Sequence, residues 1–442
     1  MKLNKINCDF ELLKIASEID LLGGKIFIVG GTVRDSFLNL KSKDVDCEVF
    51  GLKEQIVFDL LEKYGTVKRA GVSFPILITG KYEISICEEK PLAINIFKQG
   101  KRRDFTINSI YYDIIEDKII DNFNGVMDLN KRLIKVNDES CITEDPLRII
   151  RAAQFAGRFN FEIEENTLII CKKYIKNIDT IAKERIFLEL EKILMKCEKP
   201  SIVFNILKYL GWLDRVFPEI IKLENIEQGK KFHPEGNAYI HTMLVVDALP
   251  INKRKIDIML TLLLHDIGKG IVNAVPDGDS VHFFKHAEVG ADKISEIMSR
   301  ISENKELTKS VELLTRYHMY PLNFLEGVTT KNVKKIAAVV DVEKLMMVHL
   351  ADMNGKGKSY YEPDYIKKVL EIYKKIIDEI KPVVSGKDLI KIGIKPNKNM
   401  GIILKKLYEM QLNEEFFTVD EGLKIALEFL GDEINGKDNK KK

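Results

Sequence analysis

The short apolar run Lys25 to Val29 (KIFIV) ends directly in Gly30-Gly31. A helix-like stretch (TVRDSFLNL) follows, and then a strand-like one (VDCEVF) entered through Lys43-Asp44-Val45-Asp46. This succession constrains the chain more than any other feature, because it demands a strand, a tight break, a helix and a second strand in a small space. Side chains alternate along a strand, so Asp44 and Asp46 project from one face while Val45 and Cys47 point to the other. Two converging carboxylates attract Mg²⁺, which binds a few carboxylates together with substrate phosphates. The glycines before the helix let its free N–H groups approach a triphosphate, and Arg34 adds charge against the same anion.

Further strand-like runs, PILIT and YEISI, complete a mixed α/β head. From Glu144 to about Leu210 the pattern is helical, punctuated by Gly157, Pro200 and Gly211. From Phe232 to Lys356 helices dominate again, and that stretch holds all seven histidines. The segment from Pro382 reads as a loop-rich connection into helices near 400–410 and 419–430. The expectation is therefore an α+β chain: a small mixed α/β head (1–140), an all-helical neck (141–228), a helical histidine-bearing domain (229–380) and a helical tail (381–442). At 442 residues several domains are anticipated. With 45% hydrophobic and 31% charged residues the composition is that of a globular protein. The start does not read as a signal peptide and no stretch reaches membrane-spanning length, so a cytoplasmic protein is expected. Six cysteines without a CxxC pair suit free thiols rather than disulfides or a cysteine-built zinc site. A net charge of +2 neither demands nor excludes a polyanionic partner. The terminal Lys440-Lys441-Lys442 run reads as a solvated tail.

Three more segments carry chemistry. Arg102-Arg103-Asp104-Phe105-Thr106-Ile107-Asn108 offers two guanidiniums for phosphate and short polar groups for a ribose. Glu144-Asp145-Pro146-Leu147-Arg148-Ile149-Ile150-Arg151 opens a helix, with Asp145 or Glu144 as cap and Pro146 in the first turn. Asp145 and Arg148, three apart, share a face and together present donors and an acceptor to a base edge. In this order GGTVRDSFLNLKSKDVDCEVFG, RRDFTINSI, the DNFNGVMDLNKRLIK loop, EDPLRIIRAAQFA and ERIFLELEKIL resemble the class II tRNA nucleotidyltransferases, the CCA-adding family that includes bacterial poly(A) polymerases. The resemblance implies that Asp44 and Asp46 hold the catalytic Mg²⁺ with Glu83 as third acidic residue, Glu48 ranking second to it. It also implies that Arg103, Asp104 and Asn108 contact ribose and triphosphate. Glu144, Asp145 and Arg148 would read the incoming base without a nucleic-acid template, and Arg151 on the same helix would bind the nucleotide. Glu184 and Arg185 would brace that site. The implied substrates are tRNA, CTP and ATP.

In the histidine-rich stretch, His265-Asp266 follows three leucines in LLLHDIGKG, and a charge there needs compensation such as a metal. A lone His349 reads as a core residue. The stretch resembles the HD phosphohydrolase superfamily. That implies a divalent transition metal on His241, His265, Asp266 and Asp352, and a second on His286 and His318. His233-Pro234-Glu235 adds to the likeness, which extends to phosphatase and 2′,3′-cyclic phosphodiesterase activity. Lys387, Lys391, Lys395, Lys398 and Lys405-Lys406 in the tail follow either RNA phosphates or solvent. Full CCA addition is expected. The alternatives are a CC- or A-adding partial enzyme, a poly(A) polymerase, or an HD hydrolase whose head only binds RNA. Family members carry a flexible loop ahead of the Arg102-Arg103 motif, and Pro91 to Lys101 is a short version of it, expected to act as a small mobile lever.

Overall fold

A computed structural model describes residues 6, 8–41, 43–70, 76–229, 233–356, 362–377, 380–396, 398–412 and 415–438. The tail run Lys440-Lys441-Lys442 lies outside them, as does the side chain of Lys398. The chain divides into two compact units, one of residues 1–218 with 300–302, the other of the remainder. Among the described residues no helix is long and apolar enough to cross a membrane.

The first unit begins with α1 (Phe10–Leu21), β1 (Lys25–Val29), α2 (Gly30–Phe37), β2 (Val45–Phe50), α3 (Glu54–Leu61), β3 (Val67–Ala70), β4 (Ile76–Thr79) and β5 (Tyr82–Cys87). It continues with α4 (Ala93–Lys101), β6 (Ile110–Asp113), β7 (Lys118–Asp121) and α5 (Gly125–Lys131). The sheet runs β3-β4-β5-β2-β1-β6-β7, antiparallel throughout except for β2 and β5. Helices α1 and α2 both pack on β1, which explains why KIFIV is a continuous apolar run, buried from Ile26 to Val29, rather than an alternating one. Phe27 meets Phe50 and Tyr111 edge to face at ring separations of 5.6 and 6.0 Å. The parallel register sets Asp46 beside Glu83, so the third carboxylate belongs to the neighbouring strand.

Behind the sheet come β8 (Leu133–Ile134), α6 (Ser140–Glu144), α7 (Arg148–Phe159), β9 (Glu162–Ile163), α8 (Glu165–Tyr174), α9 (Lys183–Lys196), α10 (Pro200–Tyr209) and α11 (Leu213–Val216). Several expectations need correction. Gly30-Gly31 does not separate strand from helix; α2 starts on Gly30 itself, whose φ of +62° makes the turn out of β1. Pro91 to Lys101 is not a mobile loop, since nine of its residues form α4, with Ile96 buried and Gly100 so close to Phe123 that a Cβ would sit 2.7 Å from its ring. The DNFNGVMDLNKRLIK segment is likewise no loop, because α5 occupies its middle, with Asp121 accepting the first two N–H groups of the helix at 2.8 and 2.9 Å. The EDPLR helix starts at Arg148, after a break that separates it from α6. The expected cap by Asp145 or Glu144 is not found: Leu147 holds the N-cap position without a side-chain cap, and Asp145 instead closes α6, its carboxylate taking the N–H of Leu147 at 3.3 Å within the break.

Gly157 does not punctuate α7; it is where α10 crosses. A Cβ on it would lie 2.2 Å from Cγ2 of Val203. Gly157→Ala is therefore expected to destabilise the first unit by about 1–3 kcal/mol through overpacking. Adding Val203→Ala should recover much of that loss in urea unfolding, a pairing that a purely local helix effect would not produce.

After α12 (Pro218–Lys222), the second unit holds α13 (Ala238–Asp247), α14 (Ile256–Leu264), the hairpin β10 (Val275–Asp277) and β11 (Ser280–His282), α15 (His286–Ser299) and α16 (Lys305–Tyr317). Helices α17 (Thr330–Ala337), α18 (Val342–Asn354) and α19 (Asp364–Ile376) follow. The hairpin interrupts a stretch expected to be dominated by helices. Helix α14 is buried from Asp257 to Leu264, as a helix apolar all round must be. The carboxylate of Asp257 takes hydrogen bonds from Lys344 Nζ at 2.6 Å and Ser310 Oγ at 2.7 Å, tying α14 to α18 and α16. The tail is helical from α20 (Gly386–Lys391) through α21 (Lys398–Leu412) to α22 (Val419–Asp438). It builds a core of its own around Leu389, Leu407 and Phe416.

Candidate functional site

The first unit contains a cleft of about 670 Å³. Its floor is the strand pair β2 and β5, carrying Asp46 and Glu83, and the start of α2. A Cβ on Gly30 would lie 3.1 Å from Arg103 Nη1, and one on Gly31 3.3 Å from Asp46 Oδ2, so both glycines admit charged groups to the helix start. Thr32 locks the two elements together, its hydroxyl accepting the N–H of Asp46 at 2.9 Å. Burial pushes the Asp46 carboxyl above its usual range, against the pull of Arg103 and Arg34. Burial also raises Glu83, helped by the charges of Asp46 and Asp44. Asp44 is exposed just ahead of β2 and is not among the residues lining the cleft, but it acts on Glu83 electrostatically. An Asp46 raised by burial and a Glu83 raised by burial and by the charges of Asp46 and Asp44 fit a divalent cation, whose binding offsets those costs.

Glu48 shares the face of Asp46 but faces Arg103, whose Nη2 donates to it at 2.8 Å while the Tyr111 hydroxyl donates at 3.1 Å. Its role is to hold the guanidinium, which supports the preference for Glu83. Arg34 is buried; it donates to Asp35 at 2.8 and 2.6 Å and to Asn108 Oδ1 at 2.7 Å, and it lies over the rings of Phe155 and Phe159. Asn108 in turn donates to Asp104 at 2.8 Å. Burial would raise Asp104, yet Arg151 at 2.6 Å and Asn108 hold its carboxyl below the usual range. Arg34, Asn108, Asp104 and Arg151 thus form one continuous network along the cleft wall.

At the rim, Arg148 donates to the carbonyls of Cys141 at 3.1 Å and Arg102 at 2.8 Å, and Arg185 pairs with Asp145 at 2.8 Å. Arg148, Asp145 and Arg185 all line the cleft. Glu144 does not: it is exposed at the end of α6. The sequence reading missed Arg158 on α7 and Lys192 and Lys196 on α9, which also line the cleft. A signal was present. Arg148, Arg151 and Arg158 recur at helical spacing, and so do Arg185, Lys192 and Lys196, so each helix turns one basic face inward. Eight Arg and Lys side chains against five Asp and Glu make the cleft suited to a polyphosphate.

The second unit holds a buried histidine cluster. Nδ1 of His265 bonds the carbonyl of Leu262 at 2.9 Å, that of His286 the carbonyl of Phe283 at 2.7 Å, and that of His318 the carbonyl of Thr315 at 2.6 Å. A carbonyl can only accept, so each Nδ1 carries the proton and each Nε2 presents a lone pair inward. The Nε2 atoms of His286 and His318 then face each other at 3.2 Å, lone pair against lone pair. His265 Nε2 is buried with no hydrogen-bond partner among the described residues. Burial lowers both His286 and His318, the latter to about 3, which keeps them neutral. Such atoms fit a cation between them.

Among the described residues three candidate ligand groups emerge: His233, Glu235 and His241 at the outside, and, further in, His241, His265 and Asp352 on one side and Asp266, His286 and His318 on the other. Asp266 belongs to both sides. Its Oδ2 lies 3.2 Å from His265 and 3.8 Å from His241, its Oδ1 3.4 Å from His286 and 3.9 Å from His318. Glu235 grips the outer nitrogens, bonding Nδ1 of His233 at 2.9 Å and of His241 at 2.7 Å, which turns His241 Nε2 toward Asp352 at 3.0 Å. Gly268 makes the assembly possible: a Cβ there would lie 1.9 Å from the carbonyl of His286, so only glycine lets the turn after Asp266 pack on the start of α15. His349 stays apart, bonded to the Tyr365 hydroxyl at 2.5 Å in the core.

Comparison with known proteins matches three segments of the chain. Residues 26–135 match the Poly A polymerase head domain, 160–223 the probable RNA and SrmB-binding site of polymerase A, and 233–346 the HD domain. The chain is 28% identical over 375 residues to the Multifunctional CCA protein of Pasteurella multocida (strain Pm70), covering 77% of this chain and 86% of that one. The Multifunctional CCA protein of Mannheimia succiniciproducens is also 28% identical, over 78% of this chain and 88% of its own. Among solved structures, the Bacillus stearothermophilus CCA-adding enzyme in complex with CTP shares the fold at a TM-score of 0.64 and 17% identity, covering 96% and 98% of the two chains. The Thermotoga maritima CCA-adding enzyme complexed with tRNA-CCA does so at 0.57 and 22%, covering 97% and 99%.

Proposed function

We propose that this chain, which belongs to the class II tRNA nucleotidyltransferase and poly(A) polymerase family, builds the CCA end of tRNA from CTP and ATP in the cytoplasm. The observation that carries this is the first cleft, where strand-borne carboxylates face a wall of guanidinium and ammonium groups. In the reaction, the terminal 3′ hydroxyl of tRNA loses its proton to solvent, its oxygen bonds to the α-phosphorus, and the bond from that phosphorus to the oxygen it shares with the β-phosphate breaks, releasing pyrophosphate. Asp44, Asp46 and Glu83 hold magnesium, which when bound offsets charge on the attacking and leaving oxygens. Gly30 and Gly31 bring the N-terminus of α2 to the triphosphate, and Arg103, fixed by Glu48 and Tyr111, neutralises it. Arg34, Asp104, Asn108 and Arg151 form the wall against which ribose and phosphates are ordered. Asp145 and Arg148 present acceptor and donors to the base edge, Arg185 orients Asp145, and Glu144 closes the preceding helix.

Base choice rests on these hydrogen bonds, and an unmatched buried donor or acceptor costs about 1–3 kcal/mol. Arg148→Ala is expected to blur the preference for CTP and ATP over UTP and GTP by about tenfold while transfer persists, as read from single-nucleotide extension of tRNA. Helix α4 stands where the family's flexible loop is implied, which makes addition of the terminal A the step that separates full CCA addition from the CC-adding alternative. The deciding measurement offers ATP alone to tRNA ending in CC. AMP incorporation is expected; none over a long incubation, beside efficient CC addition to shortened tRNA, would establish the partial enzyme instead.

Residues 229–380 form the HD domain, in which His241, His265, Asp266 and Asp352 hold a divalent transition metal and His286 and His318, sharing Asp266, a second. The lone pairs turned inward support this assignment. Its reaction is hydrolysis of phosphomonoesters or 2′,3′-cyclic phosphates. We assign 1–140 to the head, 141–228 to the base-selecting neck, and 381–442 to a tail whose exposed Lys387, Lys391, Lys395, Lys405 and Lys406 follow tRNA phosphates.

A further inference from the structure

The second unit contains a cavity of about 1010 Å³ that opens beside the histidine cluster, with His286, His233 and Lys269 at its inner end. The rest of its lining is unlike a site for a bare phosphate. Phe284 is 66% exposed, and His282 stacks on it with ring centroids 5.7 Å apart and planes 20° from parallel. Tyr317, Tyr320 and the exposed Leu325 line the same cavity. Large apolar side chains left in contact with water and gathered around one cavity mark a surface that is covered in use. The backbone itself aims Phe284 at this place. Lys285 has a φ of +61°, a conformation costly for a residue with a Cβ, and it lies between Phe284 and His286, which both line the cavity. Cations complete the wall: Lys285, Lys356 and Arg316, whose guanidinium is anchored by Asp292 at 2.6 Å.

We infer that Phe284, backed by His282, is a stacking shelf for a nucleobase, so that this centre selects phosphate esters of nucleosides, including RNA ends, over esters with small alcohols. The inference deepens the hydrolase reading of the second unit and rests on it. In the reaction, water supplies the oxygen that bonds to phosphorus, the ester P–O bond breaks, and the leaving oxygen takes the proton. Stacking a base on an aromatic ring strengthens binding by about tenfold or more. A small alcohol gains nothing from that wall, and the cavity is of a size that suits a whole nucleotide.

The test uses the full, metal-loaded chain with 2′,3′-cyclic AMP and 3′-AMP as base-bearing esters and glycerol 2-phosphate as the small one. Phe284→Ala is expected to raise KM for the nucleotides about tenfold with kcat within about twofold, to leave glycerol phosphate hydrolysis unchanged, and to be reversed by Phe284→Trp. Equal effects on both classes of ester, or no effect on either, would overturn the shelf. Should the native chain hydrolyse none of these esters, the hydrolase reading fails, and the shelf is then judged by binding alone. Titration of 3′-AMP, compared between native protein and Phe284→Ala so that binding to the head cancels, should show a weaker site in the variant; identical isotherms would overturn it.

Discussion

Nucleotide incorporation by the Asp44→Ala, Asp46→Ala double variant is expected to fall by about a thousandfold or more, with the fold intact. Burial raises the Asp46 and Glu83 carboxyls, and the charges of Asp46 and Asp44 add to the cost at Glu83, so removing the two aspartates relieves repulsion on Glu83 and leaves no reason for unfolding. What is lost is the group that offsets charge on the reacting oxygens. That contribution is several kcal/mol, and about 1.4 kcal/mol corresponds to a factor of ten. Thr32 would still tie α2 to β2 through the backbone N–H of residue 46. The measurement is extension of tRNA lacking its 3′ end with labelled CTP and ATP, alongside circular dichroism. A folded double variant that extends tRNA near the native rate would falsify the assignment of these carboxylates. Glu48→Gln offers the contrast: it disturbs Arg103 rather than the cation, so it should weaken nucleotide binding more than the turnover of bound nucleotide.

How much of this was legible in the sequence follows from how local each feature is. The order of strand, glycine pair, helix and DxD strand depends on neighbouring residues, and β1 and β2 lie where the pattern puts them, while α2 begins on the glycine pair instead of after it. Glu83 reached the site through resemblance, since nothing local in YEISI says that its strand lies parallel to β2 in register with Asp46. Helix α4 was hidden because Pro91 to Lys101 reads as the family's flexible loop; Pro91 precedes the helix, and Gly100 is tolerated for its close contact with Phe123. Gly157 misled as well: in sequence it is a break, and in the fold it is a helix crossing with Val203. The basic faces of α7 and α9 were visible as spacing, but which way a helix faces is settled by its packing. The histidines were legible one by one. That Asp266 turns one oxygen to each side, and that Gly268 lets α15 approach, are facts of tertiary contact alone.

The second large effect is expected at Asp266 and its neighbours. Because this carboxylate faces both inner ligand groups, its replacement should abolish phosphoester hydrolysis completely, while CCA addition stays within about twofold, the two sites lying in separate compact units. Alanine is a poor choice for the test. Asp266 is buried and accepts a hydrogen bond from Lys269 at 2.7 Å; without it the ammonium keeps only Gln228, and breaking a buried pair costs about 3–5 kcal/mol. Loss of activity in Asp266→Ala could therefore report unfolding of the second unit. His318→Gln avoids this, because His318 is held neutral by burial, its pKa lowered to about 3, and pairs with no cation. It removes one lone pair from the face-to-face couple with His286 and leaves the charge balance unchanged. Metal content measured by mass spectrometry should fall in His318→Gln by about half if Asp266 joins two ions, and His265→Ala should deplete the other group. Full metal content and full hydrolysis in both variants, with CCA addition unaltered, would reduce the cluster to a structural core of the second unit.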